Sequence, residues 1–169
     1  MTMSTPGPAA PGPVVADDLA AAPELLFAYY NATAEELGHP AWATPAGLPD
    51  YFRVDYDDPA AYYAPPGGYL TARLDGRLAG GVGYHFHGPD VEVKRLYVAP
   101  DARGAGVAQA LMAVLHERAR AAGAPRCVLD VLPQRTGAIN LYKRLGYRQI
   151  GPYRDDHGPI DLVCFAYDL

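Results

Sequence analysis

Residues 91–108 read VEVKRLYVAPDARGAGVA, and the fold is decided in them. The run starts apolar and β-rich, with Val91, Val93, Leu96, Tyr97 and Val98, and Pro100 ends it. An Arg-Gly-x-Gly-x-Ala turn follows (Arg103, Gly104, Gly106, Ala108) and opens into a helical pattern with Val107, Leu111, Leu115 and Ala119 on one face. A strand feeding a glycine turn at a helix start makes an anion site. Unpaired backbone N–H groups converge there, the helix dipole adds positive charge, and glycine admits a phosphate close to the backbone.

Working outward from this stretch, GYLTARLDGRLAGGVGYHF (68–86) reads as two strands joined at Asp75-Gly76, a strong hairpin signal. On the C-terminal side, RCVLDVL (126–132) is a further strand. Thr136 is the expected cap of a helix, AINLYKRLG (138–146), and two strands close the chain around YRQIG and IDLVCFAYDL, separated by a polar turn at 154–159. Toward the N-terminus, a short strand at Val14 and Val15 precedes a helix over 23–38, with Asp17 and Asp18 as candidate caps and Gly38 and Pro40 ending it. Residues 39–68 have no clear period, and short helices are expected around 45–51 and 57–63. Residues 1–13, with Pro6, Pro8, Pro11 and Pro13, read as a disordered tail. The order predicts one mixed α/β domain over 14–169, three layers deep, with helices on both faces of a mostly antiparallel sheet.

The 169 residues carry a formal net charge of −5, which argues against a nucleic-acid surface. No run is long enough to span a membrane and no secretion signal opens the chain, so a cytoplasmic protein is expected. Cys127 and Cys164 sit in apolar strands and are expected as buried, reduced thiols. No Cys/His cluster has ligand spacing, so no metal is expected. A Rossmann dinucleotide site is disfavoured because the preceding strands form an antiparallel hairpin and no acidic ribose-binding residue follows at the required distance. The P-loop lysine is also missing.

The glycine turn at 103–108 and Ala-x-x-Leu-Tyr-x-x-x-Gly-Tyr at Ala138–Tyr147, taken together, resemble the GNAT superfamily of acyl-CoA-dependent N-acyltransferases over roughly residues 14–169. The resemblance implies a GNAT fold whose central sheet is splayed at the acyl-CoA site. It implies acetyl-CoA as cosubstrate, with its pyrophosphate on the backbone N–H groups of Gly104, Ala105, Gly106, Val107, Ala108 and Gln109, and Arg103 beside it. It further implies that the strand through Leu96, Tyr97 and Val98 pairs with pantetheine and polarises the acyl carbonyl. Tyr142 matches the family's general acid at the CoA sulfur; an ordinary phenol, with pKa about 10, holds its proton at neutral pH. Glu92 matches a strand glutamate that deprotonates the acceptor amine in some members, and a raised pKa is expected of it in an apolar strand. The alternative for Glu92 is a salt bridge with Lys94 or a neighbouring arginine.

Strict alternation would place Glu92, Lys94, Leu96 and Val98 on one strand face and Val93, Arg95 and Tyr97 on the other. His85 and His87 are alternative bases. For the acceptor, Tyr29, Tyr51, Tyr56, Tyr62 and Tyr63 offer aromatic surface, and Asp55, Asp57, Asp58, Asp155 and Asp156 offer charge suited to a cationic amine. Of these, Tyr29, Tyr63, His85 and Asp155 are the chosen substrate-side residues. One departure stands out: many members carry asparagine three residues before the helix alanine, and here the position is Arg135, read as a surface arginine or a phosphate contact. The expected activity is acetyl transfer from acetyl-CoA to a small primary amine in a ternary complex, without an acyl-enzyme. Transfer of another acyl group, acetylation of a protein N-terminus, a non-catalytic CoA-binding module and a homodimer remain open.

Overall fold

In a computed structural model that describes residues 11–155 and 160–169, seven strands form one sheet in the order β1-β2-β3-β4-β5-β7-β6. The strands are β1 Val14–Asp17, β2 Gly68–Leu74, β3 Arg77–His87, β4 Asp90–Val98, β5 Arg126–Val131, β6 Arg148–Ile150 and β7 Val163–Asp168. All neighbours are antiparallel except β4 and β5. The tail expected over 1–13 falls largely outside the described residues, as do residues 156–159 of the polar turn, Asp156 among them.

Local chemistry explains most of the elements. Asp75 (φ 49°) and Gly76 (φ 77°) both take positive φ, the pattern of the tight turn whose twist suits a two-residue hairpin. Helix α4, Val107–Ala121, starts from Gly106 in the left-handed region, and its Val107, Leu111, Met112, Leu115 and Ala119 are buried against the sheet. Each buried Leu there contributes about 1.5–3 kcal/mol. On the opposite face lie α1 (Ala22–Glu36), α2 (Asp50–Tyr56) and α3 (Pro59–Tyr62), around Leu25, Leu26, Tyr30, Phe52, Tyr63 and Tyr69. Helix α5, Thr136–Arg144, adds Tyr142 to the α4-side core. Two expected caps differ. Asp18 caps a short 3-10 turn at Leu19–Ala21 rather than α1, and the residue at the start of α5 is Arg135, not Thr136.

The close packing of α1 and α3 on β3 depends on small residues in that strand. A Cβ at Gly83 would lie 2.2 Å from Cε1 of Tyr63, and one at Gly81 would lie 2.7 Å from Leu25. Gly83→Ala should therefore displace the Tyr63 ring and destabilise the fold by about 1–3 kcal/mol, the range for overpacking a filled core. Chemical denaturation checks this, and an unchanged midpoint would contradict it.

Two features of β4 position the site. First, β4 and β5 pair only at Val91–Cys127 and Glu92–Val128, although both strands run further. Beyond Glu92 the sheet splits. Second, β4 carries a bulge. Gly81 faces Tyr97 and Gly83 faces Lys94, so three steps along β4 match two along β3, with Arg95 at φ 58°. The extra residue resets the side-chain alternation. Leu96 and Val98 therefore join Val91 and Val93 on the α4 side, while Tyr97 packs on the α1 side. This corrects the face assignment made from strict alternation.

Candidate active site

The split between β4 and β5 opens a cleft of about 660 Å³. Its walls include Leu96, Tyr97 and Val98 from β4, Arg103, Gly104, Gly106, Val107, Ala108 and Gln109 from the glycine turn and the start of α4, and Tyr142 from α5. The sequence placed all of these on the cosubstrate side, and the fold brings them together. Ala105 belongs to the same turn but is not a lining residue. Gly104 and Gly106 take φ of 81° and 78°, and nothing lies within 4 Å of where a Cβ would sit on either. That open backbone cradle, at the N-terminus of a fifteen-residue helix, fits a bound phosphate.

Tyr142 is 6 % exposed, and burial raises its pKa well above the ordinary phenol value, so it holds its proton throughout the neutral range. Neither cysteine competes for a role in the chemistry. Both are free and buried, and burial pushes the Cys127 thiol up to about 12.

Glu92 departs from expectation. It lies at the last paired rung before the split, 2 % exposed, and burial would raise its pKa. Its partners overturn that. His85 Nε2 stands 2.6 Å from one carboxylate oxygen, Lys94 Nζ 3.5 Å from the same oxygen, Arg154 Nε 3.3 Å from the other, and the Tyr153 hydroxyl donates to it. Together they hold the Glu92 carboxyl well below the usual carboxylate range. Arg154 also pairs with Asp130 of β5. Where the strands part and lose their backbone ladder, side-chain charges from β4, β5 and the segment after β6 tie the split together.

The acceptor-side expectations sort differently. His85 is half-buried, bonded to Glu92 and stacked on Tyr62 at 4.6 Å between ring centroids. Tyr63 is only 2 % exposed and donates to Asp55 at 2.7 Å, so it is core and not acceptor surface. Asp55 itself is fully buried. It accepts from Tyr30, Tyr63 and Arg95, and these hold it ionised against the cost of burial. Asp57 pairs with Arg53, and Asp58 caps α3 at Ala61 N. These aspartates are structural because short polar residues near helix ends find local or core partners before any ligand does. Asp155 is exposed and does not line the cleft.

Tyr29 does line it. Arg135, read from the sequence as a surface or phosphate-binding residue, instead spans from the start of α5 to α1. It donates to Glu36, to Tyr29 Oη at 3.0 Å and to Thr33 Oγ1 at 2.6 Å. Sequence reasoning also missed Arg95, Asp130, Tyr153 and Arg154. The unusual density of charge in otherwise apolar β4 and β5 was the available signal.

Comparison with known proteins agrees with this geometry. The model of the acetyltransferase (GNAT) family matches residues 29–147. An uncharacterized N-acetyltransferase of Schizosaccharomyces pombe is 35 % identical over 112 residues, covering 64 % of this chain and 68 % of that protein. Among solved structures, a GNAT-family acetyltransferase from Staphylococcus aureus superimposes with a TM-score of 0.75 at 12 % identity, covering 93 % of this chain and 99 % of that one. The PaiA N-acetyltransferase of Thermoplasma acidophilum, solved in complex with coenzyme A, gives 0.69 at 15 % identity, with 94 % and 99 % covered. A split mixed sheet, a glycine cradle at a helix start and a buried tyrosine in one cleft thus coincide with the family match: the chain belongs to the acetyltransferase (GNAT) family of acyl-CoA-dependent enzymes.

Proposed function

We propose that residues 14–169 form a domain that transfers the acetyl group of acetyl-CoA to a small primary amine by direct attack within one ternary complex. The observation that carries this reading is the single cleft in which the Gly104–Gln109 cradle, the open edge of β4 and Tyr142 meet. The backbone N–H groups of 104–109 would hold the pyrophosphate, with Arg103 beside it. Acetyl-CoA supplies the thioester. The chain supplies orientation and two proton transfers.

On the leaving-group side, Tyr142 Oη gives its proton to the sulfur. On the acceptor side, Glu92 stays ionised and holds His85, and His85 takes the ammonium proton, directly or through water. A carboxylate stabilised by four partners has little affinity for a proton, which moves the base role from Glu92 to the imidazole beside it. Because Asp55, Asp57 and Asp58 are committed elsewhere, no ring of carboxylates recognises the acceptor, and Tyr29 is the acceptor-side aromatic that lines the cleft. A cytoplasmic location belongs to the same reading.

The test is release of free thiol from acetyl-CoA against a panel of primary amines, including peptides with free N-termini, with mass spectrometry of the products. Amine-dependent thiol release and an acetylated small amine are expected. Binding of acetyl-CoA with no thiol release across the panel would sink the reading in favour of a CoA-binding module.

A further inference from the structure

We propose that the acceptor is an amino acid, a primary amine carrying a carboxylate, and that the open end of the Arg95 guanidinium binds that carboxylate in the cleft. The inference rests on the acetyl-transfer reading and names the substrate class of the same site. It starts from donors that the fold leaves unused. A guanidinium presents its N–H groups in a planar fork. Among the described residues the Arg95 side chain makes one hydrogen bond, from Nε to Asp55 Oδ2 at 3.2 Å, and Nη1 and Nη2 have no acceptor there. Those nitrogens are not sealed in. The side chain is 17 % exposed and Arg95 lines the cleft. The one fully buried side-chain polar atom without a partner among the described residues is Tyr69 Oη.

The surroundings hold this fork still. Asp55 fixes it at Nε, and the Tyr30 and Tyr29 rings flank it, with centroids 5.2 Å and 5.6 Å from Cζ. Arg135, on the same side of the cleft, offers no such opening: its Nε goes to Glu36, Nη1 to Tyr29 and Nη2 to Thr33. The backbone also favours a functional reading of Arg95. It sits in the β4 bulge at φ 58°, a conformation a non-glycine residue keeps only where its surroundings enforce it, and such positions collect at ligand sites.

A fork with two open Nη groups matches the paired oxygens of a carboxylate. Asp55 already stands against the same guanidinium, so a doubly charged phosphate or phosphonate would meet more repulsion there than a singly charged carboxylate. Arg95 directly precedes Leu96, the start of the β4 edge proposed to hold the thioester. In an α-amino acid the amine is one carbon from the carboxylate, so binding at Arg95 keeps the nucleophile beside that edge. A peptide N-terminus carries an amide in place of this carboxylate and lacks the recognised group.

The experiment measures thiol release from acetyl-CoA with glycine, alanine, leucine, phenylalanine and β-alanine, each beside its primary amide, and with aminomethylphosphonate. Wild type should favour the acids over the matched amides by about 10- to 100-fold in kcat/KM, the range for hydrogen bonds to a charged group. Peptides should behave like the amides. Arg95→Lys keeps a cation for Asp55 and loses the fork, so its preference should shrink to about threefold or less. Circular dichroism establishes that the variant is folded before it is assayed. Calorimetric titration of the same acids and amides into wild type saturated with CoA reads the site without turnover and without a variant, and acid-selective binding is expected. Equal use of acids and amides by wild type would overturn the carboxylate site and leave acetyl transfer in place. So would a preference for amides, peptides or the phosphonate, or an acid preference that survives in folded Arg95→Lys. Absence of thiol release with every amine would overturn the transfer reading, and the carboxylate site would then stand or fall on the calorimetric comparison.

Discussion

Tyr142→Phe is expected to lower kcat by about 100-fold, the low end of what a positioned general acid contributes, with acetyl-CoA affinity nearly unchanged. The ring fills the wall between α5 and the split sheet, 5.6 Å from the Tyr147 ring, and phenylalanine keeps that packing. Only the proton at Oη is removed. Because burial holds the Tyr142 phenol protonated across the neutral range, the loss should be flat between pH 6 and 9 and not a shift of the profile. Steady-state thiol release, with calorimetric titration of acetyl-CoA, separates the two quantities. An unchanged kcat would remove Tyr142 as the acid. A large loss of affinity with kcat retained would make it a binding residue instead.

Glu92→Gln carries the largest expected effect on stability. The side chain is 2 % exposed and closes a network with His85, Lys94, Tyr153 and Arg154. Removing its charge leaves Lys94, itself 4 % exposed, and Arg154 without part of their counter-charge. Breaking a buried pair from one side costs about 3–5 kcal/mol. The sign of the pH dependence follows from the shift. The folded-state pKa is depressed, so this stabilisation is fully present above the unfolded value of 4.5 and is lost as pH falls below it. Wild type and Glu92→Gln should therefore differ most in denaturation midpoint at neutral pH and converge in acid. Activity should fall through a misplaced His85, while any inflection of kcat near neutrality survives, because Glu92 does not titrate there. An inflection that disappears with stability intact would return the base role to Glu92.

These expectations differ from what β4 suggests when read alone, and the reason is specific. In VEVKRLYV a carboxylate among apolar residues points to desolvation and a raised pKa. Its counter-charges include Arg154, 62 residues away along the chain and on a different element. The bulge at Arg95 was equally hidden. Nothing local demands a positive φ there, and the conformation is held by the Asp55 carboxylate on α2 and the Tyr30 ring on α1. Arg135 looked like a loop cation because its three partners on α1 lie 99 to 106 residues earlier.

The chain by itself determined those features written within a few neighbouring residues. These are the Asp75-Gly76 hairpin, the strand–glycine turn–helix at 91–121 with its open backbone turn, the burial of both cysteines, and the tyrosine on the helix after β5. Backbone conformation and amphipathic spacing are short-range, and a motif that rests on them survives any tertiary context. Tertiary structure alone decided which polar side chains are free to act. It paired Asp55 with a tyrosine cage, turned Leu96 away from Glu92, kept Glu92 ionised and stretched Arg135 across the cleft to Tyr29. A charge buried in a low-dielectric interior takes its proton affinity from whatever charges stand within a few ångströms, and folding, not sequence proximity, chooses those neighbours.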